Sequence, residues 1–328
     1  MAAAIIEVKN LFKKYGNLEA VKGISFQVME GEVFGFLGPN GAGKTTTISI
    51  LCTLLSPTSG TALVNGYDVA RQKDEVRESI GLVFQDPSLD ERLTARENLL
   101  FHAFAYRVPK GEREKRINEV LEMVELSDRA DDLVETFSGG MKRRLEIARG
   151  LLHYPKVLFL DEPTLGLDPQ TRNSIWEYIH HLRKEEGITI FMTTHYMDEA
   201  ENCDRIAIID YGRIVALDTP EGLKALVGGD VVRLTTEDDR EAEKLLLELY
   251  GVKMIQDRDC LCFEVEGGDS FIPKLIREFP LRIDSISLHR PTLEDVFLKL
   301  TGHEIRPEAS DEVDKIRSFI RAQRGNRR

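Results

Sequence analysis

From Glu32 to about Val227, short apolar runs alternate with segments of helical period. EVFGFLG precedes KTTTISILCTLL, VLFLDEP precedes QTRNSIWEYIHHLRKEE, and TIFMTTH precedes MDEAENC. This alternation predicts an α/β fold with a mainly parallel sheet and helices on both faces. The run Val157 to Leu160 lacks polar alternation, as expected of a central strand buried on both sides. Asp161 and Glu162 emerge at its C-terminal end, where open α/β sheets bind their ligands. Ahead of this core, IIEVKNLFKKYG, GISFQVME and TALVNGYDV read as antiparallel strands separated by turn residues. Between Gln85 and Phe137 the pattern turns helical, in ARENLLFHAFAYR, EREKRINEVLEMVEL and SDRADDLVET, and predicts an inserted helical subdomain.

Gly228 and Gly229 interrupt the chain, and a second logic follows. VVRLTT, the helix EAEKLLLELY, VKMIQDR, CLCFEVEG, the helix SFIPKLIREF and RIDSISLHR give the order of a small ferredoxin-like α+β domain, closed by the helix TLEDVFLKL. The expected division is 1–228, 229–302 and a charged tail over 303–328, where only VDKIRSFIRAQ could form a short amphipathic helix. The tail is expected to be mobile.

Composition narrows the partners. Of 328 residues, 42% are hydrophobic and 30% charged, enough apolar surface for a folded core. The net charge of -12 repels phosphate backbones, and the one clear basic cluster is the terminal RAQRGNRR, so no direct nucleic-acid partner is expected. Cys52, Cys203, Cys260 and Cys262 show no CxxC spacing, which suits a reducing cytoplasm; Cys260 and Cys262, two apart, read as packing residues on one strand face. The start MAAAIIEVKN does not read as a signal peptide. No stretch approaches about 18 uninterrupted apolar residues, so a membrane role requires another polypeptide.

The sharpest motif is GPNGAGKTT, comprising Gly38, Pro39, Asn40, Gly41, Ala42, Gly43, Lys44, Thr45 and Thr46, between a strand and a helix. That is the setting a phosphate-binding loop needs, because the glycines let backbone N–H groups turn toward an anion and the helix adds its positive end. Lys44 would reach the β- and γ-phosphates, and the Thr45 hydroxyl would ligate Mg²⁺. A magnesium triphosphate also needs a carboxylate near the metal and a base to orient water; Asp161 and Glu162 supply these in that order.

Together these residues resemble the ATP-binding cassette family over the first 227 residues or so. The resemblance implies ATP and Mg²⁺ as ligands. It assigns Tyr15 to stacking on adenine, although a Tyr beside a turn, taken alone, is more often a half-buried packing residue. Gln85, in LVFQD, would touch metal and water and sense a transmembrane partner. FSGGMKRRLEIARGLL resembles the family signature, with Ser138, Gly139 and Gly140 at a helix start. It departs from the commonest LSGGQ form at Phe137 and Met141, which puts the usual final glutamine contact in doubt. Asp168, in GLDP, would face the dimer, and His195, in TTHYMDEAE, would contact the γ-phosphate. The family arranges two chains head to tail, each offering its signature helix to the other's nucleotide, so a homodimer is expected.

The C-terminal segment, ending SLHRPTLEDVFLKLTG, resembles the accessory domain of daunorubicin-resistance-type exporter ATPases. That subgroup implies a peripheral ATPase on the cytoplasmic face of the cell membrane, driving export of drugs or other amphiphilic compounds through a separate transmembrane permease. A permease helix would dock into a groove over Asp86 to Tyr106, which contains Leu93, Leu99, Leu100, Phe101, Phe104 and Tyr106. The alternative is a soluble cassette ATPase acting on a nucleic-acid or ribosomal machine; it would normally show two cassettes, a coiled-coil insertion or zinc spacings. A regulatory module that binds ATP without cleaving it would be expected to lose Glu162 or His195, and both are present.

Overall fold

The computed structural model describes residues 3–85, 88–255 and 261–302. Packing divides the chain into two compact units, the second beginning at Pro220. In the first, β1 (Ala4–Tyr15) and β2 (Leu18–Met29) form a long hairpin, and β3 (Val33–Leu37) leads toward helix α1 (Lys44–Leu51). β4 (Ser59–Val64) and β5 (Tyr67–Asp68) form a second hairpin. Its two turn residues, Asn65 and Gly66, take φ of +50° and +80°, the left-handed pair for which Asn-Gly is suited. Helix α2 (Lys73–Ser79) and strand β6 (Ile80–Val83) follow. Next come the helices α3 (Ala95–Ala105), α4 (Arg113–Met123) and α5 (Gly139–Leu151). The unit then alternates through β7 (Val157–Asp161), α6 (Pro169–Glu186), β8 (Thr189–Thr194), α7 (Met197–Ala200), β9 (Arg205–Asp210) and β10 (Arg213–Asp218).

Two sheets result. The antiparallel one has the order β2-β1-β4-β5; the larger has the order β10-β9-β3-β8-β7-β6 and is parallel except where β10 pairs with β9. Every residue of β3, β7 and β8 is buried, as befits central strands covered on both faces. The sheets meet over aromatic rings: Phe26 of β2 stacks on Phe34 of β3 at 5.6 Å and lies 6.0 Å from Phe191 of β8. Burial of each such ring contributes about 1.5–3 kcal/mol, so this seam fixes β3 and β8 beneath the loops that follow them.

The helical insertion forms as expected except at SDRADDLVET, which folds as two short 3₁₀ turns, Ser127–Arg129 and Val134–Thr136. Ser and Asp side chains compete for backbone groups, and the end of this segment is drawn away from helix by Val134 N–H donating to Leu93 O and Glu135 N–H to Glu91 O.

The second unit contains α8 (Pro220–Ala225), β11 (Asp230–Thr236), α9 (Asp239–Tyr250), β12 (Lys253–Ile255), β13 (Leu261–Val265), α10 (Gly268–Glu278), β14 (Ile283–His289) and α11 (Leu293–Thr301). Its sheet is antiparallel in the order β12-β13-β11-β14, over a core that includes Val232, Leu234, Leu246, Phe263 and Leu275. The expected boundary near residue 228 falls after α8, whereas packing places α8 with this unit. Leu223 of α8 is buried, and Lys299 of α11 donates to the carbonyls of Leu226 and Val227 that follow α8. Cys262 is buried as a packing residue. Cys260, Asp86 and the 303–328 tail, with its basic cluster, lie outside the described residues.

Candidate nucleotide site

β3 delivers the phosphate-loop segment to the C-terminal edge of the parallel sheet. Gly41 and Gly43 take φ of +82° and +107°, which side chains rarely adopt. Space is as restrictive as conformation: a Cβ on Gly38 would lie 2.2 Å from Ile209 O, and one on Gly43 2.6 Å from Ala20 O. The loop therefore presses its backbone against β9 and β2, with Asn40 and Gly41 exposed above and Ala42 buried below. No side chain caps α1 and no acid occupies its first turn, so its N–H groups remain for an anion.

Lys44, at the first position of α1, is 4% exposed. Its Nζ donates to Gly38 O at 2.7 Å and Pro39 O at 3.2 Å, and lies 3.3 Å from Glu162 Oε1. Burial lowers the ammonium below its ordinary range, with Glu162 pulling it back up. Tyr15 is half-buried, with Lys13 Nζ 5.0 Å from the centre of its ring, and burial raises its hydroxyl above the ordinary range.

The two carboxylates at the end of β7 occupy different environments. Asp161 is buried and accepts from Thr193 Oγ1 at 2.5 Å. Burial pushes its carboxyl above the ordinary range, against hydrogen bonds from Thr193 and Thr45. Glu162 adopts φ of +46°, unusual for a residue with a side chain, and its N–H donates to Thr193. Its Oε1 lies 3.3 Å from Lys44 Nζ and 3.3 Å from His195 Nδ1, while Oε2 accepts from Gln85 Nε2 at 3.2 Å. Burial opposes its charge, but the nearby His195 ring and the Lys44 ammonium outweigh burial, and its carboxyl sits below the ordinary range. Lys44, Gln85 and His195, drawn from three separate motifs, thus converge on the Glu162 carboxylate, with Thr45 and Asp161 alongside.

The remaining predicted residues form a second cluster. Ser138 caps α5 by accepting from Met141 N–H at 3.3 Å. Asp168 caps α6 by accepting from Thr171 N–H at 3.0 Å and Thr171 Oγ1 at 2.6 Å, bonds that hold its carboxyl low. Thr171 joins the two helix ends, because a Cβ on Gly140 would meet its Cγ2 at 2.4 Å; one on Gly139 would touch Leu167 at 3.5 Å. Among the described residues no hydrogen bond or ion pair joins Ser138 or Asp168 to Lys44.

Sequence reasoning missed buried charged groups that support the site. Glu199 accepts from Thr194 Oγ1 at 2.7 Å and from Thr164 Oγ1, and so braces the end of β8 just before His195. Arg143, on α5, donates to backbone carbonyls beside both Gln85 and Glu162. The available signal was the spacing of Arg143, Glu146 and Arg149 on one helical face.

The family profile described as ABC transporter matches residues 21–165. The linearmycin resistance ATP-binding protein of Bacillus subtilis is 41% identical over 313 residues, covering 92% of this chain and 100% of that protein. This chain belongs to the ABC transporter family. The daunorubicin/doxorubicin resistance ATP-binding protein of Streptomyces peucetius is likewise 41% identical, over 94% of this chain and 96% of its own length. Among solved structures, cbiO1 of Clostridium perfringens, part of an ABC transporter complex, matches with a TM-score of 0.64 at 32% identity, over 75% of this chain and 96% of that one. A dimeric ATP-binding cassette in a post-hydrolysis state, bound to ADP and Pi, matches with a TM-score of 0.58 at 32% identity, over 65% of this chain and 98% of its own. The chain is thus an ATP-hydrolysing, nucleotide-binding subunit of the ABC type.

Proposed function

We propose that this ABC ATPase is the motor of an exporter of drugs or other amphiphilic compounds, acting as a homodimer with a separate transmembrane permease on the cytoplasmic face of the membrane. One observation carries the dimer: the Lys44–Glu162 cluster and the Ser138–Asp168 cluster are complete but unlinked within a chain. Two chains arranged head to tail bring each cluster to the other's partner half. Export is favoured because the similar proteins are named for linearmycin resistance, for daunorubicin resistance and for Nod factor export. A permease is needed because no helix among the described residues is long and apolar enough to cross a membrane. Its docking groove is best represented on α3: Phe101, Phe104 and Tyr106 are exposed, while Leu99 is buried and Leu93 and Leu100 are half-buried.

In this reading Tyr15 stacks on adenine, and residues Gly38 to Thr46 hold the phosphates. The ionised Glu162 takes a proton from the attacking water while His195 and Gln85 orient it, and the Lys44 ammonium shifts toward the phosphates. Thr45, Gln85 and Asp161 fit Mg²⁺, being oxygen donors beside the loop, and the metal would neutralise developing phosphate charge. Domain limits of 1–228, 229–302 and 303–328 belong to the same proposal. So does the ferredoxin-like assignment of the C-terminal unit, which rests on its element order and antiparallel sheet.

The test mixes two inactive variants, Lys44→Ala and Ser138→Arg. A head-to-tail mixed dimer contains one site with both defects and one with neither, so ATP hydrolysis should reappear on mixing. No recovery, with dimers formed, would refute the shared site.

A further inference from the structure

Glu162 is held in a strained conformation, and the group that holds it belongs to the signature helix. Arg143 lies five residues past the Ser138 cap, about 7.5 Å along α5 at 1.5 Å per residue. It is buried, and its guanidinium donates from Nε to Pro163 O at 2.7 Å, from Nη2 to Asp161 O at 3.2 Å and from Nη1 to Phe84 O at 2.6 Å. The first two carbonyls flank Glu162 and the third precedes Gln85. Glu146, one turn on, pairs with Arg143 Nη1 at 3.0 Å and accepts from Ser88 N–H at 2.8 Å. Arg149, a further turn on, donates to Ser88 O and Oγ at 3.1 and 2.7 Å. One helical face therefore grips the chain on both sides of Gln85 and on both sides of Glu162.

We propose that Arg143 is a positioning residue that sets the Gln85–Glu162 pair according to the placement of its own signature helix. A left-handed φ at a residue with a side chain persists only where its surroundings over-determine it, and Arg143 fixes the carbonyls on either side. The guanidinium is a rigid planar fork that can serve three carbonyls at once, which a lysine ammonium on a flexible stem cannot reproduce. Because α5 begins at the cluster assigned to the partner's nucleotide, any shift of that helix reaches the chain's own base through one buried side chain. Engagement at one ATP is thereby communicated to hydrolysis at the other. This inference rests on the shared-site reading given above.

The experiment measures ATP turnover and the affinity of a fluorescent non-hydrolysable ATP analogue for the full-length chain and for Arg143→Lys. Misplacement of catalytic groups should lower kcat by about 10- to 100-fold while the affinity changes by less than about threefold. A merely structural role would instead lower the fraction of folded, nucleotide-binding protein and leave kcat per bound nucleotide unchanged. That outcome, or a kcat within about twofold of the parent, overturns the proposal. If Arg143→Lys does not fold, Glu146→Gln carries the test: it loosens the guanidinium without removing it and should lower kcat by about 3- to 10-fold at unchanged affinity. Unchanged kcat in that variant likewise refutes the proposal. An inactive parent, by contrast, would count against the function itself, so the two failures are distinguishable.

Discussion

Lys44 Nζ and Glu162 Oε1 face each other at 3.3 Å, both almost withdrawn from water. The cation and the base of the proposed mechanism are thus each other's charge partner. A polyphosphate that draws Lys44 toward itself loosens one of the restraints on the Glu162 carboxylate at the moment its basicity is needed. Removing one member of a buried pair leaves the other uncompensated, so substitutions here act on charge as well as on shape.

Glu162→Gln keeps the shape and removes the carboxylate assigned as base in the proposed function. Turnover should fall by about 10² to 10⁴, while ATP remains bound and the dimer accumulates. Phosphate release and equilibrium binding of a labelled nucleotide check both halves. Turnover within about threefold of the parent would exclude Glu162 as the base.

Gly38→Ala introduces a Cβ 2.2 Å from Ile209 O, and the loop must move because the obstacle is backbone. Destabilisation of about 1–3 kcal/mol is expected, together with loss of nucleotide affinity. Thermal melting with and without ATP separates the two effects: the ligand-induced rise in melting temperature should shrink by more than the melting temperature itself falls.

Phe191→Ala removes the ring that meets Phe26, Phe34, Phe36 and Phe159 between the two sheets. A loss of about 3–5 kcal/mol is expected from urea unfolding, as for a large aromatic removed from a packed core. A loss below about 1 kcal/mol would show that this seam can collapse around the gap.

Acid should destabilise the protein in two steps. His102 is lowered from 6.5 to about 4 by burial and by the nearby Arg149. Between those values the unfolded chain takes up a proton that the folded chain refuses, so its contribution is present above pH 6.5 and is lost as pH falls toward 4. Glu162, also lowered, adds a second loss as pH falls from its ordinary 4.5 through its folded value. His102→Gln should flatten the dependence of melting temperature on pH in the upper window and leave the lower one in place. An unchanged slope between pH 4 and 6.5 would rule out His102 as its source.

The sequence alone determined what depends on local chemistry. The buried run before Asp161, the glycines around Lys44, and the helix starts at Ser138 and Asp168 are each written in a few adjacent residues, because strand burial, positive φ and capping are short-range demands. The resemblance to ABC cassettes rests on the same segments. Tertiary structure decided what depends on distant elements meeting. Three motifs converge on Glu162 because parallel strands deliver their C-terminal ends to one edge, a juxtaposition that no single segment encodes. SDRADDLVET kept only two 3₁₀ turns because the N–H groups of Val134 and Glu135 bonded to the carbonyls of Leu93 and Glu91. Arg143 and Glu199 look like ordinary solvated charges in the sequence; only the packed fold supplies the carbonyls and hydroxyls that make their burial possible.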